Sequence, residues 1–302
     1  MDLRQLLVVI DPTNENKQPA LERAIWVAKQ HNAALELFVC EHNSALDGGF
    51  FFDGPAQERA RTSLVTNRKK WLEELAQPLR EQGFSVTCEA RWGKPVSKGI
   101  LQRIEEVKPD IVFREGHSHS VFQRMFMSNI SWQLIRQCPV PLWLVREDHD
   151  WKGKKICTAI DPVHQTDIKA KLDHALIKLS QSLENCYGMA TDFVHTYAPI
   201  SRAMLFDADL VATYDEHVNR NAQYHAECFN QIMDEFNVAK EQRHLLQGFA
   251  EDIIPTFAKE HNTDLLIMGA VSRSNFEAHL IGYTAERILE STDCDLLVAR
   301  PR

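Results

Sequence analysis

The amino-acid sequence contains one pattern twice, and this internal repeat limits the fold more than any other feature. Asp11 and Asp161 each end an apolar run and precede a proline, at an offset of 161 − 11 = 150 residues. Later in each half, the segment PDIVFREG around Asp110 matches TDLLIMGA around Asp264, at an offset of 264 − 110 = 154 residues. Such self-similarity predicts that one structural unit was duplicated and that the second copy carries a slightly longer insertion.

The repeated unit alternates short apolar segments with helical patterns. In the first half, the predicted strands are Leu6–Ile10, Leu35–Cys40, Phe84–Cys88, Asp110–Arg114 and Pro141–Val145. Nearly continuous apolar character is typical of strands buried on both faces of a parallel sheet. Strand–helix alternation then implies right-handed crossovers and a doubly wound sheet. We therefore expect an α/β fold with two domains, residues 1–148 and 154–302, each a five-stranded parallel sheet with helices on both faces.

The composition excludes several classes of function. The chain has 302 residues and a net charge of −8, which gives no attraction to nucleic acid or to anionic lipid. No apolar run approaches the roughly 20 residues needed to span a bilayer. The 7 cysteines are scattered singly, as expected in a reducing compartment. We predict a cytoplasmic protein that neither binds nucleic acid nor inserts into a membrane.

Further motifs occur at fixed places in the repeat. The turn GKP at Gly93 precedes the third helix, and the segment CPV at Cys138 precedes the last strand. With Asp11 and Asp161, these motifs resemble the universal stress protein family over essentially the whole chain, and the tandem arrangement resembles its E subgroup. The resemblance implies two Rossmann-like, adenine nucleotide alpha hydrolase-like domains packed as an intramolecular pseudo-dimer. It also implies a non-enzymatic role in the stress response, and it leaves open whether two chains form a homodimer.

A phosphate-binding motif, G-x2-G-x9-G-[S/T], follows strand four in the ATP-binding members of this family. Its glycines let backbone N–H groups approach the phosphates, and its end opens a helix. At the four motif positions, the first half has Glu115, Ser118, Ser128 and Asn129. All three glycines are replaced, and a carboxylate stands at the first position. We therefore predict that the first half does not bind ATP in the manner of the family.

The second half keeps more of this motif. Gly269 and Gly282 are in register, whereas Ser272 replaces the middle glycine. Tyr283 stands where Ser or Thr is expected, and Thr284 follows one position later. Two interpretations stay open: a degenerate site for ATP or another nucleotide, or glycines that only let the loop turn and the helix pack.

A nucleotide in the second half would also involve the first strand of that half. Asp161 matches the strand-one aspartate that contacts the nucleoside in the family. The candidate cofactor-binding residues are therefore Asp161, Pro162, Gly269, Ser272, Gly282, Tyr283 and Thr284.

Metal and catalytic signals are weak. His117 and His119 form a His-x-His pair, but zinc generally needs three or four ligands, and no Cys or Asp lies close to them in the sequence. Two loop histidines are the favoured interpretation. The sequence contains no Walker A loop, GxSxG elbow or HExxH helix. We predict no catalytic residues and no enzyme, and ATP hydrolysis is a disfavoured hypothesis.

Segments rich in Phe and Met suggest an alternative function. They are residues 48–54, which include the run FFF at 50–52, and residues 122–127 and 201–206. Leaving one such side chain in water costs roughly 1.5–3 kcal/mol, so packing within or between the repeats is the favoured interpretation. The alternative is a binder or sensor of an amphiphilic small molecule, acyl- or nucleotide-linked, with these side chains as pocket walls.

Overall fold

The structure, a computed structural model, describes eight stretches of the chain. They are residues 3–15, 17–46, 54–116, 128–147, 149–163, 167–199, 214–270 and 281–300, with side chains described throughout except at 167–170. The chain divides into two compact units, residues 1–148 and 149–302. Each unit is described by itself below.

The first unit is built on five parallel strands. They are β1 (Gln5–Val9), β2 (Ala34–Glu41), β3 (Val86–Trp92), β4 (Ile111–Glu115) and β5 (Leu142–Val145), in the sheet order β3-β2-β1-β4-β5. The helices between them are α1 (Pro19–His31), α2 (Gly54–Glu81), α3 (Val96–Val107) and α4 (Asn129–Gln137). The apolar runs of β1, β4 and β5 are almost fully buried, as a central parallel strand requires.

The third strand differs most from its prediction. The prediction ended it at Cys88, whereas β3 continues to Trp92. Because β3 lies at the edge of the sheet, several of its side chains are partly or fully exposed, and the segment lacks a continuous apolar run. Hydrogen-bonded pairing with β2 extends as far as Glu41 and Trp92. The position of the strand in the sheet, rather than its apolar content, therefore sets its end.

The second unit repeats this arrangement. Its strands are β6 (Lys155–Ala159), β7 (Ala190–Tyr197), β8 (Arg243–Gln247), β9 (Leu265–Gly269) and β10 (Asp295–Ala299), in the order β10-β9-β6-β7-β8 and all parallel. Its helices are α5 (Asp167–Tyr187), α6 (Tyr214–Glu235), α7 (Ala250–Glu260) and α8 (Tyr283–Ser291). Within the described residues, no helix is long and apolar enough to cross a membrane.

The repeated aspartates of the fourth strands have a structural role at the amino-terminal edge of each sheet. The Asp110 carboxylate accepts hydrogen bonds from the backbone N–H groups of Arg4 and Gln5, at 2.7 and 2.9 Å. In the second unit, Asp264 accepts equivalent bonds, including one from Lys155 N at 2.9 Å. Each carboxylate thus satisfies donors at the start of the first strand of its unit. The opposite edge is left for a ligand.

Strand order places a crevice at that opposite, carboxyl-terminal edge. In each unit the chain leaves the first strand in one direction along the sheet and returns on its other side, at the fourth strand. A reversal of this kind opens a crevice beyond the carboxyl ends of the two strands. Asp11 and Asp161 follow β1 and β6, so the repeated aspartates lie at these crevices.

Candidate functional site

The first unit has a cleft of about 290 Å³ at its crevice. Apolar side chains from β1, α3 and α4 line part of it, including Val9, Ile100 and Ile130. Its polar lining includes Asp11, Thr13, Glu41, His42, Arg114, Glu115 and Ser128. The cleft therefore contains ionisable groups of both signs near the position of the expected phosphate loop.

A buried arginine occupies the phosphate end of this cleft. Arg114, at 7% exposure, places its Nη1 at 2.5 Å from Ser131 Oγ and 3.2 Å from Ser128 Oγ. Burial lowers the pKa of Arg114 to about 10, and the charges of Asp11 and Glu115 offset part of that shift. A guanidinium therefore lies against the first turn of α4, at the end of the predicted phosphate motif.

The amino terminus of α4 is also capped by its own sequence. The Ser128 hydroxyl accepts a hydrogen bond from Ser131 N at 3.2 Å, so one of the unpaired N–H groups at the start of the helix is already satisfied. Glu115 is 3% exposed at the first motif position. These contacts give a physical reason for the prediction that the first half does not hold a triphosphate in the family manner.

The second unit replaces this polar cluster with small and apolar residues. The offset of 154 residues between β4 and β9 and between α4 and α8 aligns the two sets of positions. Arg114, Glu115, Ser128 and Ser131 of the first unit correspond to Met268, Gly269, Gly282 and Ala285 of the second. Four changes along two elements thus remove the buried charge and the side-chain cap together.

No side chain of the described residues caps the amino terminus of α8. Gly282 is its N-cap, with ordinary extended dihedrals (φ −67°, ψ 144°) and no side-chain capping hydrogen bond. A Cβ atom at this residue would meet nothing within 4 Å among the described residues. Tyr283 is 69% exposed and Thr284 is also exposed, so neither side chain folds back over the helix end. Within the described part of the chain, the first N–H groups of α8 thus have no side-chain partner from the N-cap, and such groups favour an anion.

Gly269 has a packing role. A Cβ atom there would lie 2.6 Å from Cδ2 of Leu172, a buried residue of α5. The absence of a side chain at the end of β9 therefore lets α5 pack closely against the sheet. For Gly269 this favours the packing interpretation, whereas Gly282 has no such neighbour.

A histidine pair lies at the same edge of the second unit, and the sequence analysis missed it. His195 in β7 is 1% exposed, and its Nε2 lies 2.8 Å from Nδ1 of His225 in α6. This contact joins the two imidazoles edge to edge, with ring centroids 5.0 Å apart, and the Tyr197 ring lies 5.2 Å from the His225 ring at an interplanar angle of 25°. Burial lowers the pKa of His225, and the charge of Asp161 opposes that shift. The one available signal was a histidine inside the largely apolar strand segment around Phe193.

The family follows from comparison with known proteins. The model of the universal stress protein family matches residues 3–146 and again residues 154–300. The chain belongs to the universal stress protein family. Universal stress protein E of Escherichia coli strain K12 is 24% identical over 302 residues, covering 99% of this chain and 94% of that protein. The universal stress protein E homolog of Haemophilus influenzae is 26% identical over 313 residues, covering 100% of this chain and 98% of that protein. The predicted tandem, E-like form of the family is confirmed.

Solved structures support the fold of this universal stress protein. A universal stress protein from Archaeoglobus fulgidus superposes with a TM-score of 0.66 at 14% identity and covers 98% of each chain. A universal stress protein candidate from Pseudomonas aeruginosa gives 0.76 at 23% identity, covering 99% of this chain and 94% of that one. At these identities the likeness concerns the fold alone. It confirms the predicted tandem Rossmann-like α/β architecture.

The second universal stress protein domain brings several predicted residues to one edge. Asp161 and Pro162 are half-buried directly after β6, and β6 pairs with β9, which ends at Gly269. Gly282, Tyr283 and Thr284 open α8. Ser272 lies outside the described residues.

Other predicted features lie outside the described residues as well. These are His117, His119, Ser118 and the Phe- and Met-rich segments at 48–53, 122–127 and 201–206. Within the part of the chain that the structure describes, no three His, Cys, Asp or Glu side chains are grouped as metal ligands. No observation on the described residues favours the amphiphile-binding alternative.

Proposed function

We propose that the second domain, residues 154–302, binds ATP or a related nucleotide and that the first domain, residues 1–148, does not. The observation that carries this proposal is the contrast between the two equivalent helix ends. Ser128 caps α4 and Arg114 lies against it, whereas α8 begins at Gly282 with no side-chain cap and open space in front. A helix amino terminus with accessible N–H groups attracts phosphate.

Electrostatics supports the same choice between the two clefts. A carboxylate about 4 Å from a phosphate oxygen costs roughly 4 kcal/mol at an effective dielectric constant of about 20. A helix amino terminus contributes only about 0.3–2 kcal/mol toward an anion. The first cleft contains three carboxylates; Glu41 is paired with Arg68, whereas Asp11 and Glu115 act on the guanidinium of Arg114. The second domain has Gly269 at the position of Glu115, so only Asp161 remains of that carboxylate pair.

We infer a binding role in the cytosolic stress response rather than catalysis. Family membership supports this role. The protein then has two states, one with a nucleotide bound to the second domain and one without. The first domain, whose helix end is occupied by its own side chains, serves as a structural partner. The proposal includes no hydrolytic step.

Thermal unfolding with and without ATP tests the proposal, together with calorimetric titration. A ligand at 100 times its Kd should stabilise the domain that binds it by about 2.7 kcal/mol. Gly282→Val should abolish that shift at a cost of about 1 kcal/mol or less to the free protein, because Val is a poorer N-cap than Gly but its Cβ meets no described atom within 4 Å. Ser128→Val, the matched change in the first domain, should leave the shift unchanged. A shift lost in Ser128→Val and retained in Gly282→Val would contradict the assignment.

A further inference from the structure

The second domain carries a polar cluster at its carboxyl edge that the phosphate site does not use. It consists of Asp161 after β6, His195 in β7 and His225 in α6. His195 connects to the backbone of the same edge, because its Nδ1 lies 3.2 Å from the carbonyl oxygen of Ile160. Through His195, the backbone of Ile160, the residue before Asp161, is thus connected to the half-buried imidazole of His225.

The hydrogen-bond partners fix where the protons of this pair reside. The carbonyl oxygen of Ile160 can only accept, so His195 Nδ1 must carry a hydrogen and donate it. A neutral His195 then has a lone pair at Nε2, and the 2.8 Å contact requires His225 Nδ1 to donate to it. In this chain of donors the lone pair of His225 lies at Nε2. None of the described residues makes a hydrogen bond to that nitrogen.

This arrangement separates the orientation of the His225 ring from its charge. Nδ1–H is bonded to His195 in both the neutral and the protonated form, and the ring of Tyr197 lies beside the imidazole in each. Proton uptake at Nε2 therefore changes an acceptor into a donor without rotating the ring. The titratable groups around it are His195 and Tyr197 from β7, Asp161 after β6, and Tyr224 and Cys228 on α6 itself. Of these groups, Asp161 raises the pKa of His225 through its charge, whereas burial of the ring lowers that pKa.

We propose that His225 Nε2 accepts a hydrogen bond from a hydroxyl or amino group of the ligand of the second domain, and that His195 is the positioning residue that holds it. This inference rests on the proposed nucleotide binding and concerns the sugar-and-base end of the ligand, which is rich in such donors. A neutral His225 therefore selects a ligand by a hydroxyl or amino group. Protonation of His225 replaces one acceptor by a donor and weakens binding.

The test is calorimetric titration of the full chain with ATP at pH 7.5 and pH 5.5, in wild type and in His225→Phe, which keeps a planar ring but has no hydrogen-bond acceptor. Comparing the two proteins at each pH cancels the titration of the phosphates of ATP. At pH 7.5 the variant should bind about tenfold more weakly, the effect of one lost hydrogen bond. At pH 5.5 the two affinities should approach each other. A ratio that stays the same at both values, or a variant as tight as wild type at pH 7.5, overturns the proposal.

A second measurement separates this inference from the nucleotide proposal. Nitrogen-15 NMR of histidine-labelled protein reports which ring nitrogen carries the hydrogen. The inference requires the Nδ1–H form of His225 in the free protein and a lower His225 pKa when ATP is bound. If ATP binds and depends on Gly282 but the His225 pKa does not fall, the inference fails and the nucleotide site stands. If ATP does not bind, the nucleotide proposal fails, and an Nε2–H form of His225 would remove the histidine arrangement as well.

Discussion

Replacing Gly269 by alanine separates a packing glycine from a phosphate-binding glycine. The new Cβ would lie 2.6 Å from Leu172 Cδ2, which is too short for a normal contact. Its distance of 3.5 Å from Leu172 Cγ is an ordinary van der Waals contact. Overpacking a dense core typically costs about 1–3 kcal/mol, because side chains leave their preferred rotamers. Alanine instead of glycine in a strand returns roughly 0.5–1 kcal/mol of backbone entropy. The two ranges differ by about 0–2.5 kcal/mol, and we expect Gly269→Ala to lower the free energy of unfolding of the second domain by about 1 kcal/mol.

A double-mutant cycle with Leu172→Ala makes this expectation specific. Leu172→Ala alone should cost about 2–5 kcal/mol, since it leaves a cavity at a buried site. In that background Gly269→Ala should cost nothing or stabilise slightly, because the clashing atoms are gone. Hydrogen exchange of the β9 amides follows the second domain without requiring two-state unfolding of the whole chain. Gly282→Ala is the matched control: any cost, at most about 1 kcal/mol for Ala at an N-cap, should be the same with and without Leu172→Ala.

Two results would refute the reasoning. If Gly269→Ala leaves β9 exchange unchanged, Leu172 moves aside at no cost and the packing role is wrong. If the cost of Gly269→Ala is the same with and without Leu172→Ala, the energy does not come from this contact. In either case Gly269 would have to be retained for another reason, such as close approach of a ligand to the backbone.

Two further predictions concern the structural aspartate and a buried thiol. Asp264→Asn should destabilise the second domain by about 3 kcal/mol in chemical denaturation. The Asp264 carboxylate accepts backbone N–H bonds at 2.8–2.9 Å, and the amide nitrogen of asparagine cannot accept them. The exposed Asp293→Asn is the control, and an equal effect of the two changes would contradict the role given to Asp264. Burial raises the pKa of Cys40 from 9.0 to about 11, which leaves about one hundredth of the usual thiolate at pH 8. Iodoacetamide should therefore modify native Cys40 at least about 100-fold more slowly than the unfolded chain, as followed by mass spectrometry, and similar rates in the two states would show that the thiol is neither buried nor neutral.

The two domains illustrate how a duplicated site can diverge by linked changes. A buried guanidinium needs hydrogen-bond acceptors, and Ser128 and Ser131 supply hydroxyl oxygens to Arg114. In the second domain the corresponding residues include Met268, which needs no acceptor, and Gly282, which leaves the helix end open. Replacing Ser128 or Ser131 alone would remove one hydroxyl acceptor from the Arg114 guanidinium, which also bonds the carbonyl oxygen of Glu115. The second domain lacks both the guanidinium and these two hydroxyls.

The sequence by itself determined the architecture. The offsets between Asp11 and Asp161 and between Asp110 and Asp264 fixed a duplication, and the apolar strand segments fixed a parallel α/β fold. These features can be recognised within short segments of the chain, because a strand that is buried on both faces consists of a run of apolar residues. The loss of the first-half glycines was equally visible, since a motif position is read along the chain.

Only the tertiary structure decided which side chains meet. Arg114 and Ser131 are 17 residues apart in the sequence, and His195 and His225 are 30 apart, and no periodicity connects either pair. They come together because parallel strands deliver their carboxyl ends to one edge, where the following helices begin. The separate roles of Gly269 and Gly282 likewise depend on whether another element occupies the space in front of each residue. The sequence indicates which residues are buried, but only the tertiary structure determines which side chains they contact.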